Sequence, residues 1–195
     1  ISLCALANVE EEQYKNIGNL RWILNHLGNT GAAGINNFMT KYLDNVLFSE
    51  YKAFLAQDDK VIASILSSAR AALDLWSDPD IVKLTATDST NIDFLRQRKT
   101  VYYIIIPEHQ VRYFSILINL FCSTCFQHCL ENYGAGTLPV FFFLDEFGNI
   151  GRINNFSSIV TTLRKRQCSV NIILQELSQL KSVYGPYEAQ TIYSG

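Results

Sequence analysis

The stretch PVFFFLDEFGNIG, Pro139 to Gly151, decides how this chain is read. Val140 to Leu144 is a continuous apolar run without polar alternation, the pattern of a strand buried on both faces of a parallel sheet. It ends abruptly in two carboxylates, Asp145 and Glu146. An apolar strand that delivers an Asp to the carboxyl edge of a sheet can orient a hydrated Mg²⁺, and a following Glu can polarise an attacking water. The alternative is an acidic strand end that feeds a loop.

Working outward, two further strands are expected in this half. Thr100 to Ile106 (TVYYIII) is a β-branched and aromatic run closed by Pro107, and Cys168 to Leu174 (CSVNIIL) ends at Gln175. Between the strands lie helical stretches. Val111 to Leu130 is apolar nearly all round, as a helix covered on several sides would be. Ile153, Phe156, Ile159, Val160 and Leu163 form a second stripe, and Leu177 to Tyr184 a third helix closed by Gly185 and Pro186. Strand and helix in alternation imply right-handed crossovers and a parallel sheet. In such sheets ligands bind at the carboxyl ends of the strands, the edge where Asp145, Glu146 and Gln175 fall.

Residues 1–84 have a different texture. Ile17, Leu20, Ile23, Leu24 and Leu27 make a helical stripe that stops at Gly28, with Glu10, Glu11 and Glu12 ahead of it near the positive end of the helix. Ile35, Phe38, Met39, Tyr42, Leu43, Val46 and Leu47 give the cleanest amphipathic pattern in the chain, and Ile62 to Trp76 carries another. An all-helical bundle without strands is expected here. The glycines at 28, 31 and 34 follow a helix and lack a Gly-Lys-Ser/Thr ending, so they read as a connection between helices.

Composition narrows the classes. The 195 residues, 48% hydrophobic and 17% charged, suffice for a substantial core. The net charge of −2 splits into 7 Lys/Arg against 10 Asp/Glu through residue 84 and 9 against 8 afterwards. No basic stripe of the kind used on duplex DNA is present, Arg164-Lys165-Arg166 being the local exception. The longest apolar run, Tyr113 to Phe126, is too short to cross a bilayer. Five cysteines at no framework spacing suit free thiols in a reducing compartment. Cys122, Cys125 and Cys129 share a helix face with Phe121 and Phe126, which favours burial over metal binding. His26 and His109 receive no role. The start at Ile1, inside an apolar segment, suggests a piece of a longer protein.

The run LDEFGNIGRINNFSSIVTTLRKRQCSVNIILQELSQLKSVYGPYEAQTI from Leu144 resembles the Walker B region and following segments of the TraG/TraD-type coupling proteins of conjugative type IV secretion. The likeness extends upstream through TVYYIIIP and SILSSARAALDLWSDPDIVKLTA, and more loosely to EEEQYKNIGNLRWIL. It implies an α/β protein: an all-helical inserted domain over residues 1–84, then residues 85–195 as part of a RecA-like P-loop NTPase domain. It further implies a homo-hexameric ATPase using ATP and Mg²⁺, anchored in the membrane through segments outside this chain, with this part in the cytoplasm. Its partners would be relaxase and accessory DNA-processing proteins, single-stranded DNA and components of the secretion channel. Residue by residue, Asp145 becomes the Mg²⁺-orienting acid and Glu146 the water-activating base. Gln175 becomes the sensor of the γ-phosphate, and Arg164 an arginine finger offered to a neighbouring subunit; on its own, Arg164 also reads as a solvated cation at a helix end. The chain departs from the pattern at Glu176, where the family often has Ser, and in the phosphate-binding loop, since no Lys here follows a Gly. Without that loop the chain alone is expected neither to bind nucleotide tightly nor to hydrolyse it. Two other readings stay open: an adaptor whose helical domain binds DNA-processing or effector proteins, and a related secretion or chromosome-partitioning ATPase.

Overall fold

The computed structural model describes residues 1–87 and 89–194. The chain divides into two units, Ile1–Ser89 and Thr90–Gly195. The first contains helices α1 (Ser2–Ala7), α2 (Ile17–Thr30), α3 (Ala32–Tyr42), α4 (Asn45–Leu55), α5 (Asp59–Ala72) and α6 (Pro79–Leu84), and no strand among its described residues. Their stripes meet in a core that includes Ile23, Ile35, Met39, Tyr51 and Leu66.

Two helix boundaries differ from the sequence expectation. The stripe from Ile35 to Leu47 is broken at Leu43, which is extended (φ −101°, ψ 142°), and Asp44 starts a new helix by accepting the N–H of Leu47 at 2.8 Å. An N-cap carboxylate satisfies an orphan donor, a local gain that hydrophobic periodicity does not register. Helix α2 runs through Gly28 to Thr30 and turns only at Gly31. Gly28 is needed for close approach: a Cβ there would lie 1.8 Å from Nη2 of Arg70, which donates to the carbonyls of Leu24 and Asn25 at 3.2 Å each.

The second unit contains α7 (Phe94–Gln97), α8 (Ser115–Glu131), β1 (Val140–Leu144), α9 (Phe156–Arg164), β2 (Cys168–Ile172) and α10 (Leu177–Ser194), the last kinked at Gly185 before Pro186. β1 and β2 pair in parallel, with Val140 opposite Cys168 and Leu144 opposite Ile172. Val140 and Leu144 pack on Ile118, Cys122, Phe126, Phe156 and Leu163. Phe126 meets Phe142 edge-on at 4.8 Å, a geometry that aromatic quadrupoles favour.

Here the sequence expectation needs two corrections. β1 is buried on one face only, since Phe141 and Phe143 are 63% and 71% exposed. Helices α8 and α9 cover the Val140 and Leu144 side, and no described element of this unit covers the other. The segment from Thr100 to Ile106 forms no strand and joins no ladder, and Ile105 is 89% exposed. A cavity of about 650 Å³ is lined by Val101 to Ile104 together with Leu138 to Leu144. The Tyr102 hydroxyl ties the segment down by donating to the Asn91 carbonyl at 2.6 Å.

Candidate functional site at the carboxyl edge of the sheet

The β1–β2 pairing continues past the last strand residues. The N–H of Ile173 donates to the Leu144 carbonyl at 3.0 Å, and the N–H of Phe147 donates to the Ile173 carbonyl at 3.1 Å. Asp145 and Glu146 are therefore the two residues that turn over the end of β2. Glu146 adopts the left-handed conformation (φ 50°, ψ 38°), unusual for a residue with a Cβ and costly unless its surroundings enforce it.

Those surroundings can be named. Phe147 is buried, stacks on Tyr184 with rings 5.9 Å apart and meets Phe156 at a tilt at 4.8 Å. The Tyr184 hydroxyl accepts the N–H of Ile153 at 3.0 Å, and Asn119 donates to the Ile150 carbonyl at 3.0 Å. Arg152 pairs with Glu188 at 2.5 Å, and Ser157 donates to the same carboxylate at 3.3 Å. Burial pushes the Tyr184 hydroxyl up to about 12, so it stays a neutral hydrogen-bonding group. The loop that follows the two acids is thus fastened to α8 and α10.

Both oxygens of Glu146 are engaged by side-chain amides. Asn149 donates to Oε2 at 3.0 Å and Gln175 donates to Oε1 at 3.0 Å, the latter bridging the ends of two neighbouring strands. Gln175 is oriented in turn, its backbone N–H donating to Oε1 of Gln179 at 3.3 Å. Gly148 makes room for Gln179, because a Cβ at Gly148 would lie 2.9 Å from the Gln179 Cβ. Asp145 is exposed beside this bridge, its Oδ1 accepting the N–H of Glu146 at 3.0 Å.

The structure brings Asp145, Glu146 and Gln175 together and sets Arg164 apart. Arg164 is the last residue of α9, four before the first residue of β2, so it lies at the end of the sheet where the strands begin. Its side chain is exposed, and neighbouring Leu163 is fully buried. Asn149 and Gln179 were missed in the sequence. Asn149 sits three residues from an acid in a turn, a spacing that could have marked it, whereas Gln179 acts through space filled by a glycine, for which sequence offers no signal.

Two carboxylates and an amide carbonyl are hard oxygen donors, a set that suits Mg²⁺ held through water and phosphate rather than an all-protein cage. The described residues contain no cluster of three or more His, Cys, Asp or Glu that could hold a metal. They also contain no helix long and apolar enough to cross a membrane.

The family model for type IV secretory system conjugative DNA transfer matches residues 32–195. The chain belongs to that family. It is 28% identical over 145 residues to the protein VirD4 of Rhizobium radiobacter, covering 70% of this chain and 20% of that protein. VirD4 of Agrobacterium fabrum (strain C58 / ATCC 33970) is 26% identical over 145 residues, with 21% of its length covered. The chain therefore spans about a fifth of these relatives. Among solved structures, the plasmid coupling protein TrwB in complex with the non-hydrolysable GTP analogue GDPNP superposes with a TM-score of 0.61 at 20% identity, over 99% of this chain and 49% of that one. TrwB in complex with ADP and Mg²⁺ gives 0.61 at 21% identity and the same coverage. The α/β fold expected from the sequence is thus that of a conjugative coupling protein.

Proposed function

We propose that the chain is the helical and Walker B portion of a conjugative coupling protein that hydrolyses ATP to drive DNA transfer. The observation that carries this is the Glu146–Gln175 bridge across two strand ends, with Asp145 exposed beside it. TrwB complexes with nucleotide analogues and with ADP and Mg²⁺ support the choice of ligand.

Bound at this edge, Mg²⁺ would be held by Asp145 through water, and it supplies charge neutralisation on phosphate oxygens. The chain's own groups supply the rest. Glu146 is a general base whose carboxylate Asn149 keeps oriented while Gln175 leaves it. Gln175 has one amide that satisfies Glu146 in the absence of nucleotide and is placed to meet a terminal phosphate in its presence. Arg164, exposed at the end of α9 and away from this edge, would act as an arginine finger on a neighbouring subunit's nucleotide in a homo-hexamer. A Gly-Lys-Ser/Thr loop to cradle the phosphates is not in this sequence, and in this reading it would be supplied from outside these residues. In this reading residues 1–84 are the inserted all-helical domain and residues 85–195 part of the nucleotide-binding domain. The whole works on the cytoplasmic side of a membrane-anchored assembly with relaxase, accessory proteins, single-stranded DNA and the secretion channel.

The test uses the complete gene product that carries this chain. Asp145→Asn should abolish Mg²⁺-dependent ATP hydrolysis, and Arg164→Ala should do the same with folding unchanged. Mixing Arg164→Ala subunits with subunits lacking the phosphate-loop Lys should restore part of the turnover, since an intact site that borders a Lys-lacking subunit then meets an intact Arg164. Mixed assemblies as inactive as either variant alone would remove the finger, and full activity of Asp145→Asn would remove the site. An adaptor role for the helical unit draws on one feature, an aromatic groove of about 330 Å³ lined by Tyr14, Trp22, Phe38 and Tyr42 beside Glu11. Trp22→Ala that left ATP turnover intact but ended co-purification with the relaxase complex would favour it.

A further inference from the structure

At the opposite end of the sheet lies a cluster that the proposed hydrolysis does not use. Arg96, on α7, is 3% exposed and is the single charged residue buried among the described residues. Its Nη1 donates to the Leu138 carbonyl at 2.9 Å. Its Nη2 is shared among the carbonyls of Cys129 (2.8 Å) and Arg166 (2.9 Å) and the Sγ of Cys168 (3.1 Å). Nε has no partner, and none of the described ion pairs involves Arg96.

A guanidinium cannot lose its proton, and a buried cation without an anion is costly. Carbonyl dipoles offset part of that cost. The one group touching this guanidinium that can carry a full negative charge is the Cys168 thiol. Cys129, fully buried on the last turns of α8, is brought beside that sulfur, since its own carbonyl accepts from the same Nη2 of Arg96. We propose that Arg96 holds Cys168 as a thiolate and that Cys129 and Cys168 form a peroxide-sensitive dithiol, which closes to a disulfide joining α8 to β2.

Charge and access both favour Cys168 as the attacking sulfur. The neighbouring Cys129 thiol and the Arg96 charge lower it to about 7 against the opposing effect of burial. The nearby Cys168 sulfur, with burial, pushes Cys129 far up, so the proton of the pair resides there. Burial raises Cys122 to about 11 and Cys125 to about 12, leaving them inert thiols. Cys168 also lines an open cavity of about 240 Å³ with Phe156, Val160 and Arg164, roomy enough for a small peroxide.

The oxidant is hydrogen peroxide or another small hydroperoxide. The Cys168 thiolate attacks one peroxide oxygen, the O–O bond breaks, and hydroxide leaves to take up a proton, giving a sulfenic acid. The Cys129 sulfur then attacks the Cys168 sulfur, and its proton goes to the departing hydroxyl. One S–S bond forms, the S–O bond breaks and water leaves. Two thiols are oxidised to one disulfide, and one peroxide is reduced to two waters.

The experiment treats the chain, in a Cys4→Ser background that removes the exposed thiol, with hydrogen peroxide, followed by alkylation and peptide mapping. The expected product is a Cys129–Cys168 cross-linked peptide, formed about tenfold or more faster than any oxidation of Cys122 or Cys125 and lost when the chain is unfolded in urea. In Cys129→Ser the sulfenic acid on Cys168 should persist and be trapped by dimedone. The proposal is overturned if Cys168 reacts no faster than Cys122 and Cys125 in the folded chain. It is equally overturned if the dominant cross-link joins cysteines of α8 to one another, or if the Cys129–Cys168 link forms as fast in urea.

Discussion

The carboxyl and amino ends of the β1–β2 sheet each carry a polar cluster, and they are built in opposite ways. At the carboxyl end, Asp145, Glu146 and Gln175 stand at or near the surface, and their bonds are amide contacts that can be exchanged for a ligand. At the amino end, Arg96 is buried and fastens the backbone at Leu138, Cys129 and Arg166. A parallel sheet leaves its strand ends to loops, and here one set of loops is left available for chemistry while the other is sewn into the core. The difference teaches where stability and function are separable in this unit.

The largest expected effect comes from the sewn end. Arg96→Met should destabilise the α/β unit by about 3–5 kcal/mol, because it leaves the buried carbonyls of Leu138, Cys129 and Arg166 without their donor; urea unfolding of the chain measures it. A cost below about 1 kcal/mol would mean that the two ends are not built differently. Gly148→Ala should cost about 1–3 kcal/mol, since the new methyl meets the Gln179 Cβ on a packed helix that cannot retreat freely. Tyr184→Phe should cost about 1–3 kcal/mol by leaving the N–H of Ile153 without its acceptor, and thermal unfolding reports it. At the open end the sign reverses. Glu146→Gly should stabilise the unit by about 1 kcal/mol through relief of the left-handed conformation, less whatever its two hydrogen bonds contribute. Glu146→Gln should leave stability within about 0.5 kcal/mol of the parent.

The open end was largely legible in the sequence, because an apolar run that stops at a polar residue marks a strand end: Leu144 to Asp145 on one strand, and the run ending before Gln175 on the next. The parallel pairing followed from the helix of crossover length between them. The sewn end was not legible. Arg96 sits in a polar stretch, and its partners lie 33 to 72 residues away, so nothing local distinguishes it from a solvated Arg. Nor could composition tell that Thr100 to Ile106 stays out of the sheet, since strand formation is a property of pairing and not of one segment. The stripe from Ile35 to Leu47 shows the same limit in helices, where one capping Asp at position 44 divides what periodicity joins.

The most direct test of the central claim, that the carboxyl edge is where ATP is hydrolysed, separates binding from turnover in the complete gene product. Glu146→Gln keeps the size and hydrogen-bonding reach of the side chain but cannot accept a proton. It should bind ATP and Mg²⁺ as the parent does while turnover falls by about 10² to 10⁴, the usual contribution of a general base. Turnover within a few-fold of the parent, at unchanged ATP affinity, would contradict the assignment of Glu146 and with it the reading of this edge as the catalytic one.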